Sequence, residues 1–321
     1  MDNFYFIIQR MLPVAIPLLL SALAGMFSER SGVINIALEG IMLFGALFGI
    51  FFIYTMQDTT WNIQLIFFIG ILIAMLAGAF YSLFLAVASI RLKANQVIVG
   101  TALNMFIPAV ALLYTRSTFN TDSITTNVNL FIRKIPVLGD IPVLGEMFFQ
   151  DTYLTVYVGI VLLIISSIAL YKTRFGLRLR ACGEHPHAAD SVGINVYKMR
   201  YLGVIISGVL AGVSGYFYAI GINSANVSGK TGVAGFGFLA LAIMIFGQWK
   251  PFRIFVLAIL FGFLRTLSQS ITLIPFLHQL NISPLFYDIL PYLATLIVLV
   301  FTSKKSKAPK AEGIPYDKAL R

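Results

Sequence analysis

The sequence predicts an all-α, polytopic transmembrane bundle of about nine spans, with broken or re-entrant helices among them. Three observations carry this expectation. Apolar residues make up 59% of the 321 positions and charged residues only 11%, against roughly 25% charged in soluble domains. The mean hydropathy is +0.89, so most of the chain cannot face water. The formal charge of +10 gathers in the connections between apolar runs, as the positive-inside rule expects. That placement argues against nucleic acid as a partner and for membrane lipid.

The first apolar run, about Phe4 to Phe27, is interrupted by Pro13 and Pro17, which neighbouring helices can accommodate. It has no positive leading region, so it reads as the first span and not as a separate signal peptide. The polar start Ser28 to Gly40 runs directly into the second span, about Ile36 to Met56, and is a candidate re-entrant segment. The third run, about Ile63 to Ile90, exceeds the roughly 20 residues that cross a bilayer, predicting tilt or protrusion. After the basic turn at Arg91 and Lys93, Asn95 and Gln96 open a fourth span, about Val97 to Tyr114.

Residues 115–152 form the longest weakly apolar stretch, with acidic and basic residues in balance, and are assigned to the outer side. Within it, IPVLGDIPVLGE repeats a proline-bounded unit, read as an interfacial hairpin or short amphipathic helix. The fifth span is about Tyr153 to Tyr171. Four more runs follow, roughly Tyr201 to Ile222, Ala234 to Gly247, Ile254 to Ile274 and Phe286 to Phe301. A membrane domain thus covers 1–303. The tail, 304–321, carries Lys304, Lys305, Lys307 and Lys310 and is expected to be disordered and cytoplasmic. Counting back from it puts every basic cluster on the cytoplasmic side and leaves the N-terminus outside.

The loop 172–200 is the one long polar interruption with an internal plan. Lys172, Arg174, Arg178 and Arg180 precede a short helix signal. Glu184 can cap or charge-complement a helix start, Pro186 suits its first turn, Ala188 and Ala189 favour helix, and Gly193 supplies a stop. Asn195 can begin the next element. Cys182, the sole cysteine, excludes an intrachain disulfide and is expected as a reduced, solvent-facing thiol.

No catalytic constellation emerges. GKT at Gly229 to Thr231 lacks the glycine of a phosphate-binding loop, since Ser224 stands at that position. His185, His187 and His278 show no metal-ligand spacing. Neither an enzyme activity nor a metal or cofactor is expected. Polar residues inside the apolar runs are more informative. Asn35 and Glu39 share a face if their segment is helical. Glu39 can line a pathway or serve the structure, and for Arg265 the structural reading is favoured. Asn95, Gln96 and Asn104 can line a polar route or cap a helix. Glycine-rich runs at Gly32–Gly49 and Gly229–Gly247 resemble each other faintly and allow close packing or broken helices.

Four stretches together carry a family resemblance. They are MFSERSGVINIALEG (Met26 to Gly40), NQVIVGTALN (Asn95 to Asn104), RFGLRLRACGEHPHAADSVGIN continuing to Gly215, and GVAGFGFLALAIMIFGQWKPF (Gly232 to Phe252). The chain resembles the permease subunits of bacterial ABC importers of the branched-chain amino acid/ribose type, in the subgroup for nucleosides and simple sugars. Trp249-Lys250 departs from the smaller turn expected there. The resemblance implies a multi-pass protein of the bacterial inner membrane. It also implies a coupling helix over Glu184–Gly193, with Glu184, His185, Pro186, Ala188, Ala189 and Gly193 docking on a cytoplasmic two-domain ATPase. A second homologous permease and an extracytoplasmic substrate-binding (lipo)protein complete the implied assembly. Nucleosides are the expected cargo, with simple sugars or riboflavin as alternatives, and a stand-alone secondary transporter as the competing class. A flat base and a hydroxylated sugar call for amides and rings, so Asn35, Glu39, Asn95, Gln96, Asn104, Phe236 and Phe238 are the expected pathway residues.

Overall fold

The computed structural model describes residues 2–269, save 127, 129, 135, 137, 143, 144, 223–225 and 231, together with 289–291, 293–296 and 307–318. Among the described residues up to 269, ten α-helices order the chain. They are α1 (Asp2–Arg30), α2 (Leu38–Met56), α3 (Ile63–Ala86), α4 (Gln96–Phe119), α5 (Leu154–Lys172), α6 (Arg174–Glu184), α7 (Pro186–Ser191), α8 (Val196–Gly221), α9 (Phe236–Phe246) and α10 (Pro251–Gln269). A π-helical turn, Val87–Arg91, extends α3. Among the described residues, seven helices are long and apolar enough to cross a membrane, so this is a multi-pass membrane protein. Of the ninth expected run only 289–291 and 293–296 are described, both helical. His278, Lys304 and Lys305 lie outside the described residues.

The expected seventh span is corrected. Its helix, α9, has 11 residues and reaches about 16 Å, half of a ~30 Å hydrocarbon core. It is a half-helix, and the chain reaches its start through a non-helical stretch that includes Gly232 and Gly235, both at positive φ.

Two helices form the core and the others surround them. Of the most apolar 18-residue stretch of each helix, 100% is buried in α1 and 83% in α8, against 22% in α4. Glycine makes the close approach to α8 possible. A Cβ on Gly212 would overlap the Ala74 carbonyl of α3, and one on Gly215 would overlap the Met42 carbonyl of α2. Gly208 and Gly212, four apart, form the small-residue face that lets helix backbones touch. Ser214 Oγ, on the same helix, donates to the Pro17 carbonyl of α1 at 2.6 Å, bracing the proline turn.

The helices at the rim leave their apolar sides outward, with Leu76, Met105 and Leu113 among the most exposed residues. At one end of the bundle the chain adds two small antiparallel ribbons that the apolar pattern did not signal. Ser123–Thr125 (β1) pairs with Asn226–Ser228 (β4), joining the end of α4 to the α8–α9 connection. Phe131–Lys134 (β2) pairs with Gln150–Tyr153 (β3), and IPVLGDIPVLGE lies within that hairpin.

At the opposite end lie the basic helix α6, the α9–α10 turn and the tail. The expectation of a disordered tail is corrected for residues 307–318. Ala311 N donates to Gly183 O (2.9 Å), Gly313 N to Gly32 O (3.3 Å), and Arg200 Nη1 to Ile314 O (2.9 Å). Ala311 and Tyr316 are buried. The lysine count pointed to solvation, but the buried Ala311 and Tyr316, with the backbone pairing of residues 311, 313 and 314, seat this segment.

Gly212→Ala tests the packing at the hub. The added methyl has no space against backbone, and overpacking of this kind costs about 1–3 kcal/mol. The expected outcome is a lower thermal unfolding midpoint in detergent. An unchanged midpoint would show that α8 does not approach α3 this closely.

Candidate functional site

Two places concentrate the polar groups of the apolar body: the junction where two half-buried helices begin, and the basic end beneath it. The first is built around residues 31–37, which separate α1 from α2 without forming a helix. Their backbone groups, removed from water, need side-chain partners. Ser28 Oγ donates to Val33 O (2.7 Å), and Gln96 Oε1 accepts from Ile34 N (2.7 Å). Asn104 serves both directions, accepting from Gly40 N and donating to Ile36 O, each at 2.7 Å.

Glu39, in the first turn of α2, reaches across to the start of α9. Its carboxylate accepts from Gly235 N (2.8 Å) and Gly237 N (2.6 Å). The two glycine-rich runs that resemble each other in sequence thus meet here. A carboxylate at a helix N-terminus satisfies orphan donors and opposes the helix dipole. Gly237 is required by this contact, because a Cβ there would overlap the Glu39 backbone nitrogen. The geometry supports the structural reading of Glu39.

The expected pathway residues therefore separate into different roles. Asn35 is not on a helix, so it does not share a helical face with Glu39. Its Nδ2 donates to Ser207 Oγ (2.8 Å), while Oδ1 is buried without a partner among the described residues. Gln96 likewise keeps one unspent group, Nε2. Asn95 caps α4, accepting from Val97 N (3.0 Å) and Ile98 N (3.2 Å). Phe236 is buried and packs edge-on to Tyr218, at 4.7 Å between centroids, so it is core and not lining. Phe238 points the other way and is 51% exposed. Arg265 is half-buried, with Nε unpartnered among the described residues.

At the basic end, α6 and α7 replace the expected single stub. Thr173 Oγ1 caps α6 by accepting from Gly176 N (3.2 Å). Pro186 stands in the first turn of α7, and Gly193 (φ 82°) ends it, as the residue types predict. Asn195 caps α8. Glu184 differs from expectation: it closes α6 and pairs with Arg30 at 3.6 Å instead of capping α7. Cys182 is buried, and burial pushes its thiol up to about 11. The α6 face bearing Gly176, Leu179, Cys182 and Gly183 turns inward, so the solvent-facing expectation is corrected.

Ala189 is also corrected, since at 4% exposure it is covered by its own chain. His185, His187, Ala188 and Gly193 are exposed and Pro186 is half-buried. His187 packs against Tyr316 of the tail, 5.2 Å between ring centroids. The outward apolar surface includes two residues that sequence reasoning passed over, Leu177 (63% exposed) and Val192 (74% exposed). Their signal was present: each is a large aliphatic residue inside a polar, basic stretch.

Trp249, the departure from the family pattern, proves to be an anchor. Its Nε1 donates to Glu29 Oε2 at 2.6 Å, and its carbonyl accepts from Tyr171 Oη (3.1 Å) and Arg30 Nη2 (3.4 Å). Gln248 and Trp249 adopt positive φ, 52° and 53°. Glu312 hydrogen-bonds to Glu29, and burial holds its carboxyl above the usual range. The last turn of α1 thereby contacts α6, the α9–α10 turn and the tail together. Among the described residues no group of three or more metal-ligating side chains is gathered.

Asn104 tests the junction. Asn104→Asp keeps the acceptor for Gly40 N and loses the donor for Ile36 O, whereas Asn104→Leu strands both. At about 1–3 kcal/mol for each unsatisfied buried group, Asn104→Leu is expected to lower the unfolding midpoint more than Asn104→Asp. Equal midpoints for both variants and the parent chain would remove Asn104 from the junction.

Comparison with known proteins agrees with this architecture. Residues 7–299 match the family described as "Branched-chain amino acid transport system / permease component". The guanosine ABC transporter permease protein NupQ of Bacillus subtilis is 42% identical over 98% of this chain and 97% of its own. The nucleoside ABC transporter permease protein NupC of Lactococcus lactis is 39% identical over 99% and 98%. A second Lactococcus lactis protein, the nucleoside ABC transporter permease protein NupB, is 24% identical over 80% and 70%. No solved structure matches the chain. With the match extending over nearly its whole length, the chain belongs to the branched-chain amino acid transport system / permease component family.

Proposed function

We propose that this chain is the permease subunit of an ATP-driven importer for nucleosides. The observation that carries the reading is similarity at 42% and 39% identity, over almost the full length, to permeases named for guanosine and for nucleosides. ATP hydrolysis belongs to a separate, two-domain ATPase chain. A second, homologous permease completes the membrane unit, a pairing supported by the likeness of this chain to both NupC and NupB of one organism. An extracytoplasmic binding protein delivers the cargo. The basic end and its C-terminal tail face the cytoplasmic side of a bacterial cell membrane, as the excess of lysine and arginine there favours.

In this reading α6 and α7 form the coupling unit. The exposed Leu177, Ala188, Val192 and Gly193 supply a small apolar contact surface amid arginines, the composition suited to a desolvated protein contact with a polar rim. The buried Ala189 supports that surface from below. A displacement of α6 passes to α1 through the Arg30–Glu184 pair and through Gly183, which packs on the Arg30 carbonyl. From α1 it reaches the α9–α10 turn through Glu29 and Trp249.

Movement at that end alters the helix junction, where Glu39 holds the start of α9 against α2. Asn35 Oδ1 and Gln96 Nε2, an acceptor and a donor left unspent in the interior, are the amides available to sugar hydroxyls or base edges. Asn95, Asn104 and Glu39 keep their route in shape by satisfying backbone. Specific capture remains with the binding protein, so the permease needs few polar contacts of its own.

Guanosine uptake into cells bearing the complete importer tests the coupling surface. Val192→Asp and Ala188→Arg place charge on exposed positions and are expected to leave the unfolding midpoint unchanged. Each should abolish co-purification of the ATPase and reduce uptake at least about tenfold, the effect of losing roughly 1.4 kcal/mol or more at a contact. Full ATPase association by both variants would overturn the assignment of α6–α7 as the docking unit. No uptake of guanosine or of any other nucleoside by the unmodified importer would overturn the cargo.

A further inference from the structure

The end of α3 and the start of α8 enclose a cleft of about 470 Å³, lined by Ile90, Arg91, Lys93, Tyr197 and Tyr201. We infer that this cleft holds the phosphate headgroup of an anionic phospholipid whose acyl chains lie along α3. The inference rests on the cleft's chemistry and its position, and is independent of which solute the protein carries.

The position is defined by a stripe along α3. Leu72, Leu76, Phe80 and Phe84 recur every four residues, and all are more than half exposed. At that spacing they share one helical face. Val87 continues the face at 41% exposure, and the π-helical turn Val87–Arg91 brings it to its end at Arg91. Leu92, 71% exposed, borders the same place. An outward apolar column that terminates in a cation has the polarity of a phospholipid read from tail to head. Tyr197 and Tyr201, four apart on α8, contribute phenols at the same level, where amphipathic rings favour the membrane–water boundary.

The chemistry selects an anion. The Arg91 side chain makes no hydrogen bond or ion pair with the described residues, so none of them occupies its guanidinium, which suits an oxyanion held in bidentate fashion. Lys93, in the left-handed conformation (φ 53°), already takes one oxyanion, the Asp317 carboxylate of the tail. Tyr197 Oη donates to the Tyr316 carbonyl (3.4 Å). The cleft and the docked tail therefore share Lys93 and Tyr197, and a phosphate at Arg91 would lie beside the tail's anchoring point. A zwitterionic headgroup would bring a cation of its own to Arg91 and Lys93 and is disfavoured.

Native mass spectrometry of the full-length protein, purified in mild detergent and given equal phosphatidylglycerol and phosphatidylcholine, tests the site. Preferential retention of phosphatidylglycerol is expected. Arg91→Gln should lower it about fivefold, the effect of about 1 kcal/mol per cation near a charged lipid surface, while Arg91→Lys should preserve most of it. Thermal unfolding of the variants checks that the exposed substitution leaves the fold intact. Inorganic phosphate at millimolar concentration should not displace the lipid, because it gains nothing from the α3 stripe. Equal retention of the two lipids, or unchanged retention in Arg91→Gln, would overturn the inference. Displacement by phosphate would mark a free-anion site instead. Disulfide capture of Leu76→Cys by a second permease chain would show that protein, and not lipid, covers the stripe.

Discussion

The constraint on which this structure depends is that broken backbone inside an apolar body must find partners within the protein. Residues 31–37 and the start of α9 expose peptide groups where water is scarce, and each unpaired group would cost several kcal/mol in hydrocarbon. Gln96 and Asn104 on α4, Ser28 on α1 and Glu39 on α2 provide the missing bonds. Those side chains fix how α4 and α9 sit against α2. Once they are in place the glycines of α8 allow the remaining helices to close around it. A helix break of this kind has two consequences: it supplies helix termini and polar groups at mid-depth, and it makes the surrounding packing sensitive to small shifts.

The same economy of partners governs the basic end. Glu29 and Arg30 occupy the final turn of the most buried helix, yet neither is left to solvent. Trp249 and Glu312 contact Glu29, and Glu184 and the Trp249 carbonyl contact Arg30. Buried polar side chains are retained where they are hydrogen-bonded, and stranding one costs more than its bond contributes. The cluster ties α1, α6, the α9–α10 turn and the tail into one unit. The coupling proposed above relies on such a unit, because a flexible connection would dissipate a displacement delivered to α6.

The cleft beside the tail extends this logic to the surroundings. Lys93 and Tyr197 are engaged by the tail on one side, and Arg91 is open on the other. The proposed lipid cleft is thus chemically continuous with the segment that covers the basic end.

Much of this was legible in the chain itself. Apolar runs marked most of the long helices to within a few residues, because the length needed to cross a bilayer and the exclusion of charge from it are local properties. Asn95, Asn195, Pro186 and Gly193 announced helix boundaries, since caps and stops act on the nearest backbone. What sequence could not assign was the partner of each polar group. Asn35, Asn104 and Glu39 read alike as interior polar residues, yet Asn104 and Glu39 satisfy backbone from α2 and α9, and Asn35 retains an unspent oxygen. Phe236 and Phe238 are two residues apart, and only the packing of α9 sends one to the core and the other outward. The tail's lysines implied solvation, while its few apolar residues found a seat formed by Gly32, Gly183 and Arg200, positions more than a hundred residues away. Composition and periodicity determined which segments enter the membrane; which groups meet there depends on contacts distant in sequence, and only the tertiary structure decided them.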